Sequence, residues 1–229
     1  KKKLKNQKIT SLERRAKYLL MTTPNGTAIM HLGMSGSFRV VTANSNPEKH
    51  DHYDLVIGKK AIRFNDPRRF GALLWTNGLA LEHPLLAKLG PEPLGPFFTG
   101  ALLYAKARGR KTTIKQFIMD GRIVVGVGNI YASEALYMAG IHPRRPAGRV
   151  GRERMLGLVE SIRSVLSKAI VAGGTTLRDF SASDGSPGYF QQELQVYDRA
   201  GEACNTCSGL IRQETMGQRS TFFCVTCQR

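Results

Sequence analysis

All four cysteines of this chain fall within its last 26 residues, as Cys204, Cys207, Cys224 and Cys227. The pattern C-x2-C, sixteen residues, C-x2-C is the spacing of a zinc ribbon, in which each pair at i, i+3 turns two thiolates towards one ion. Four thiolates complete a tetrahedron and leave no open position for water, so one structural Zn2+ is expected rather than a catalytic one. An even cysteine count also permits two disulfides. The start of the chain, Lys1 to Lys8, has no apolar middle segment and does not read as a secretory signal, which weighs against them. Residues 210–223 between the knuckles read as a β-hairpin with Met216-Gly217-Gln218-Arg219 at or near its tip. A basic tip on a metal-fixed ribbon suits insertion against DNA, although spacing alone equally allows Arg219 to be an ordinary exposed arginine.

Charge narrows the partner. The 229 residues carry 34 Lys and Arg against 17 Asp and Glu, a net charge of +17. Basic residues concentrate in residues 1–20, in 106–122, and in the group Arg144, Arg145, Arg149, Arg152 and Arg154. Solvated faces would explain such runs one at a time. On a globular chain with this balance, a surface that tracks phosphates explains them together, and nucleic acid is the expected partner. No apolar run approaches the ~20 residues of a membrane span, and no basic amphipathic helix with bulky anchors stands out.

The chain reads first as strands, then as helices. Tyr18–Thr23 and Thr27–Leu32 flank a Pro24-Asn25-Gly26 turn, where Asn-Gly can supply positive φ angles. Residues 36–41, 52–57, 61–65 and 70–76 continue as short strands, with Gly58-Lys59-Lys60 as a turn, which favours a sandwich or barrel. Residues 90–100, rich in proline and glycine, read as a linker or irregular connection. Helices are expected over 112–120, over 129–139 up to Gly140, and over 152–172, where Met155, Val159, Ile162, Leu166 and Ala169 recur at helical spacing. The fold class is therefore α+β with segregated parts. Residues 181–188 read as a polar loop.

Several segments share one resemblance: HLGMSGSFRV at 31–40, NDPRRFGALLW at 65–75, LGPEPL at 89–94 and VVGVGNIYASEALYMAGIHP at 124–143. GGTTLRDF at 173–180, SPGYFQQELQVYDRAGEAC at 186–204 and the cysteine ribbon extend it. In this order they resemble the bacterial formamidopyrimidine-DNA glycosylases, which repair 8-oxoguanine. The resemblance implies a β-sandwich catalytic domain over 1–95, a helix-two-turn-helix DNA-binding domain over 96–196 and a zinc finger over 197–229. It also implies a cytoplasmic monomer acting on double-stranded DNA that carries oxidised purines or abasic sites. The sister family that removes oxidised pyrimidines shares the architecture, but the GVGNIYASE and HLGMSGS wording is closer to the purine enzyme. A zinc-ribbon protein of the ribosome or transcription apparatus would leave the long shared segments unexplained.

The implied chemistry is base flipping, attack by a terminal proline amine to form a Schiff base, and strand cleavage by β- and δ-elimination. The resemblance sets residue 1 about forty residues into the family pattern. The proline, its neighbouring glutamate and the first helix are then unmatched, and the sandwich is expected to be incomplete. On that reading the chain as written is expected to be impaired in catalysis, leaving a damaged-DNA-binding module as the alternative. Lys17 corresponds to the family's essential lysine. By itself it reads as a surface lysine, at a strand start and crowded by Arg14 and Arg15. Met34, Arg68 and Phe70 match the residues that fill the gap left by the everted base, where an apolar wedge offsets a few kcal/mol of unstacking. Met34 and Phe70 alone would read as core, and Arg68 as part of an exposed basic turn. His50, Arg68 and Arg110 match DNA contacts, and Lys115 and Asn129 match phosphate ligands. Asn129, after Gly126-x-Gly128, can hold a phosphate at a helix start or simply cap the helix. Arg219 matches the zinc-finger arginine linked to δ-elimination, and residues 175–189 the loop over the flipped base.

Overall fold

The computed structural model describes residues 3–173 and 194–229, which divide into two compact units, one up to Ala87 and the other from Lys88. The first unit is built from seven strands: β1 (Ser11–Arg15), β2 (Tyr18–Thr23), β3 (Gly26–His31), β4 (Ser37–Thr42), β5 (Asp51–Ile57), β6 (Lys60–Asn65) and β7 (Ala72–Thr76). They pair antiparallel into two sheets of order β1-β2-β3-β7 and β4-β6-β5. Met21, Ala28 and Met30 from the first sheet pack with Phe38 and Leu55 from the second, and Trp75 closes the same cluster. Two apolar faces thus bury one another, as a β-sandwich requires.

Local chemistry fixes the hairpins with one adjustment to the expected turn. Thr23 pairs with Gly26, so Pro24-Asn25 alone form the β2–β3 turn. Gly26 is the residue with positive φ (143°), and a Cβ there would meet the Thr76 carbonyl oxygen at 2.4 Å. Strand β1 had no clear apolar signal: Leu12 is its one large apolar residue and is exposed. It is held as an edge by backbone pairing to β2.

The second unit holds four helices, α1 (Gly100–Ala107), α2 (Ile114–Met119), α3 (Asn129–Met138) and α4 (Arg152–Val171), and a hairpin of β8 (Ile211–Met216) and β9 (Arg219–Cys224). Helix α1 was not evident from periodicity. Thr99 starts it by accepting the Leu102 N–H on its hydroxyl, and Gly100 lets it approach the α4 backbone at Leu156. Of the two readings of residues 90–100, the structure gives the irregular connection, packed against α4 rather than free as a linker. Arg163 of α4 donates to the carbonyls of Pro93, Gly95 and Phe98, and Phe98 is fully buried. A guanidinium gathers the carbonyls that the prolines leave without regular partners. Glu134, buried in α3, accepts the backbone N–H groups of Gln195, Val196 and Tyr197 and so fixes the entry to the ribbon. The loop expected at 181–188 lies outside the described residues.

Candidate nucleic-acid interface and metal centre

Cys204, Cys207, Cys224 and Cys227 are free thiols whose sulfurs all lie within 4.8 Å of one another. Cys204 Sγ is 3.8 Å from Cys227 Sγ, and Cys207 Sγ is 3.4 Å from Cys224 Sγ. Zn–S bonds of about 2.3 Å in a tetrahedron set sulfurs about 3.8 Å apart, so the donor set fits zinc. The Tyr137 hydroxyl lies 3.2 Å from Cys204 Sγ and 2.7 Å from Thr206 Oγ1. Once a metal holds Cys204 as thiolate, that hydroxyl is its donor, an outer contact that orients the ligand.

The ribbon delivers β9 to α2 and α3, and a buried cation sits at the junction. Lys115 of α2 is only 1% exposed, and its Nζ donates to Asn129 Oδ1 (2.7 Å), Thr221 Oγ1 (2.7 Å) and the Ser220 carbonyl (3.1 Å). Three neutral oxygens saturate its three N–H donors without cancelling its charge. Burial, and then the neighbouring Arg219 cation, lower its pKa to about 8. Asn129 Nδ2 donates to the Ser220 carbonyl (2.9 Å) and to the Tyr197 hydroxyl (3.3 Å). Asn129 is therefore not the helix cap. Gly128 holds that position, while the Asn129 side chain joins the helix to the hairpin. Arg219 opens β9 beside the Gly217-Gln218 turn and is exposed. Lys115, Gln116, Met119, Asp120, Met216, Gly217 and Arg219 line one recess. Lys115, Asn129 and Arg219, from three parts of the sequence, are thus brought together. Arg110 is exposed before α2, with its backbone joined to Ala107 and Gly148, and its charge acts on Asp120 of the same recess.

In the first unit the structure gathers a second set. Lys17 is exposed in the tight turn between β1 and β2, one residue before the strand start expected for it. His31, given no role by the sequence, accepts the Gly33 N–H on Nδ1 at 3.0 Å, which leaves the ring proton to Nε2. Burial, and then Lys17, lower its pKa. Met34 and Phe70 are 50% and 56% exposed, so neither belongs to the core. The Arg68 guanidinium lies over the Phe70 ring at 5.2 Å. Gly33 (φ 72°) packs so tightly on the 70–71 backbone that a Cβ would stand 2.6 Å from the Phe70 carbonyl carbon. His50 is half-buried with φ 71°, and its carbonyl accepts the Asp66 N–H. The residues at 175–189 expected over a flipped base lie outside the described residues.

Comparison with known proteins gives these parts a class. Family models match the formamidopyrimidine-DNA glycosylase N-terminal domain at residues 1–73, its H2TH domain at 89–181, and the zinc finger found in FPG and IleRS at 201–229. The formamidopyrimidine-DNA glycosylase of Syntrophotalea carbinolica is 59% identical over 221 residues, covering 96% of this chain and 82% of that protein. A complex of the Lactococcus lactis Fpg with DNA containing an abasic site superposes with a TM-score of 0.90 at 35% identity, covering 100% of this chain and 85% of that one. A complex of a mutant of the same enzyme with Fapy-dG-containing DNA gives 0.91 at the same identity and coverage. A β-sandwich, an H2TH helical region and a four-cysteine finger together define a zinc-finger DNA-repair glycosylase of the base-excision class. This chain belongs to the formamidopyrimidine-DNA glycosylase family. The N-terminal-domain match begins at residue 1, so it lends no support to the expected loss of the family's opening segment, nor to impaired catalysis.

Proposed function

We propose that this protein acts as a monomer on double-stranded bacterial DNA in the cytoplasm, everts oxidised purines such as 8-oxoguanine and formamidopyrimidines, and excises them. Strand cleavage by β- and δ-elimination follows. The observation that carries the reading is the junction of Lys115, Asn129 and Arg219: a buried ammonium and an exposed guanidinium converge where a metal-fixed hairpin meets two helices. The exposed Arg219 guanidinium suits a backbone phosphate, with the Lys115 charge buried behind it adding to the attraction, and Arg219 then stabilises the phosphate that departs in δ-elimination. In the first unit, Met34, Phe70 and Arg68 fill the gap left by the everted base, with the guanidinium offered to the orphaned partner base. His50 and Arg110 contact the backbone, and Lys17 acts at the lesion phosphate and in proton transfer during β-elimination. In this reading lesion chemistry belongs to residues 1–95, duplex grip to 96–196 and the finger to 197–229.

The test is binding and borohydride trapping on an 8-oxoguanine:cytosine duplex, with intact mass measured on the same sample. Preference over undamaged duplex, together with a covalent adduct at the mass of this chain through one of its own amines, Lys17 being the candidate, is the expected result. Preference without an adduct confines the chain to lesion recognition, and equal binding to both duplexes overturns the proposal.

A further inference from the structure

Asp66 is fully buried, and its hydrogen bonds run to each of the loops that carry the candidate wedge. Oδ1 accepts from Ser35 Oγ at 2.7 Å and from the Arg68 N–H at 3.3 Å, and Oδ2 accepts from the Gly71 N–H at 2.7 Å. Its own N–H donates to the His50 carbonyl at 3.0 Å, and its carbonyl lies 2.8 Å from His52 Nε2. An Asp before a proline often caps its own turn, which explains the bond from Arg68. It does not explain why the same carboxylate reaches Ser35, 31 residues earlier, or closes the far end of the turn at Gly71. Met34 is the neighbour of Ser35, and Arg68 and Phe70 lie between the anchored positions. All three project from a frame centred on one carboxylate. Burial pushes that carboxyl up, but the donated hydrogen bonds from Gly71, Ser35, Arg68 and Phe70 outweigh it and hold it below the ordinary value. It is an acceptor for all of them in the same state.

We infer that Asp66 is a positioning residue that fixes the Met34 loop and the Arg68–Phe70 turn in one arrangement, so that the three side chains enter a duplex as a unit. The inference rests on the lesion-binding reading above. Asp66 touches no DNA itself; it acts by sparing the loops the ordering cost of assembling the wedge at each encounter. Replacement of the carboxylate by an amide sets an N–H group against one of the donors from Ser35, Arg68 or Gly71, and frees one loop from the other.

The experiment uses a duplex with a tetrahydrofuran abasic analogue and 2-aminopurine beside it, so that base unstacking is read by emission without any chemistry. For Asp66→Asn, the preference for this duplex over undamaged DNA should fall about tenfold, with the emission rise lost and undamaged-duplex affinity within about twofold of wild type, since the phosphate-facing charge is unaltered. Ser35→Ala should lose about threefold of that preference, and Ser35→Thr, which keeps the hydroxyl, should recover it. Thermal melting of each variant identifies any that fails to fold, and the Ser35 pair then decides. Variants that keep both preference and emission overturn the inference. So does an equal loss of affinity for damaged and undamaged duplexes, which would assign Asp66 to the fold alone. A wild-type protein with no emission rise rejects the lesion-binding reading, and the inference with it.

Discussion

Lys115 shows how a single ammonium can be costly to the fold and still useful. With a folded pKa of about 8, it binds fewer protons in the folded than in the unfolded chain between about pH 8 and its ordinary 10.5. Its contribution to stability therefore rises with pH across that window, and below it the burial penalty is carried in full. Denaturant unfolding of wild type and Lys115→Gln at both ends of the window should show this rise in wild type and its absence in the variant. Duplex affinity should move the opposite way, falling as pH passes about 8 because the neutral amine no longer attracts phosphate. Gly33 makes the complementary case for backbone. Gly33→Ala puts a side chain at φ 72° and 2.6 Å from the Phe70 carbonyl carbon, so it should cost more than about 1 kcal/mol in denaturant unfolding. Its lesion preference should fall with it. Neither behaviour is written in residue types. Lysine in a basic stretch reads as exposed, and two of the three oxygens that receive Lys115 come from residues more than 100 positions later, Ser220 and Thr221.

At the scale of elements, the hairpin β8–β9 depends on its metal. Chelation of zinc should release four thiols, disorder the hairpin and leave Lys115 without Thr221 and Ser220. Thiol titration and circular dichroism read the first two effects. A fall in duplex affinity of about tenfold or more, at unchanged α-helical signal, reads the third. The cysteine spacing made this element legible, because metal ligation is local and needs only two knuckles. The β2–β3 hairpin and α4 were legible for a similar reason, a turn residue or a sustained apolar period acting within a short window. Elements whose existence depends on distant partners were not. Strand β1 lacks an apolar stripe and forms by edge pairing, α1 takes its place through Gly100 against Leu156, and residues 90–100 are ordered by Arg163. The candidate site divides in the same way. Its residues could be matched singly by resemblance, but Asp66, His31 and Glu134 became visible only once folding set their acceptors beside the right backbone groups.

Across the whole molecule, the net charge of +17 sets how binding responds to salt. If roughly 6–10 phosphates are neutralised, affinity for any duplex should fall by about 10³–10⁵ between 50 and 200 mM salt. A filter-binding series at several salt concentrations checks this, and preference for a damaged duplex should change far less than affinity does, since the wedge contacts are not counterion-driven. The same scale exposes a limit on modularity. Glu134 holds the backbone at Gln195, Val196 and Tyr197, and Lys115 and Asn129 hold Ser220 and Thr221, so the finger's hydrogen bonding is shared with helices encoded far upstream. Excised and grafted onto a foreign scaffold, the ribbon would carry its zinc but leave behind the acceptors and donors that aim its arginine. A cassette that chelates on its own and points only in company can be inherited intact, yet it cannot be shuffled freely.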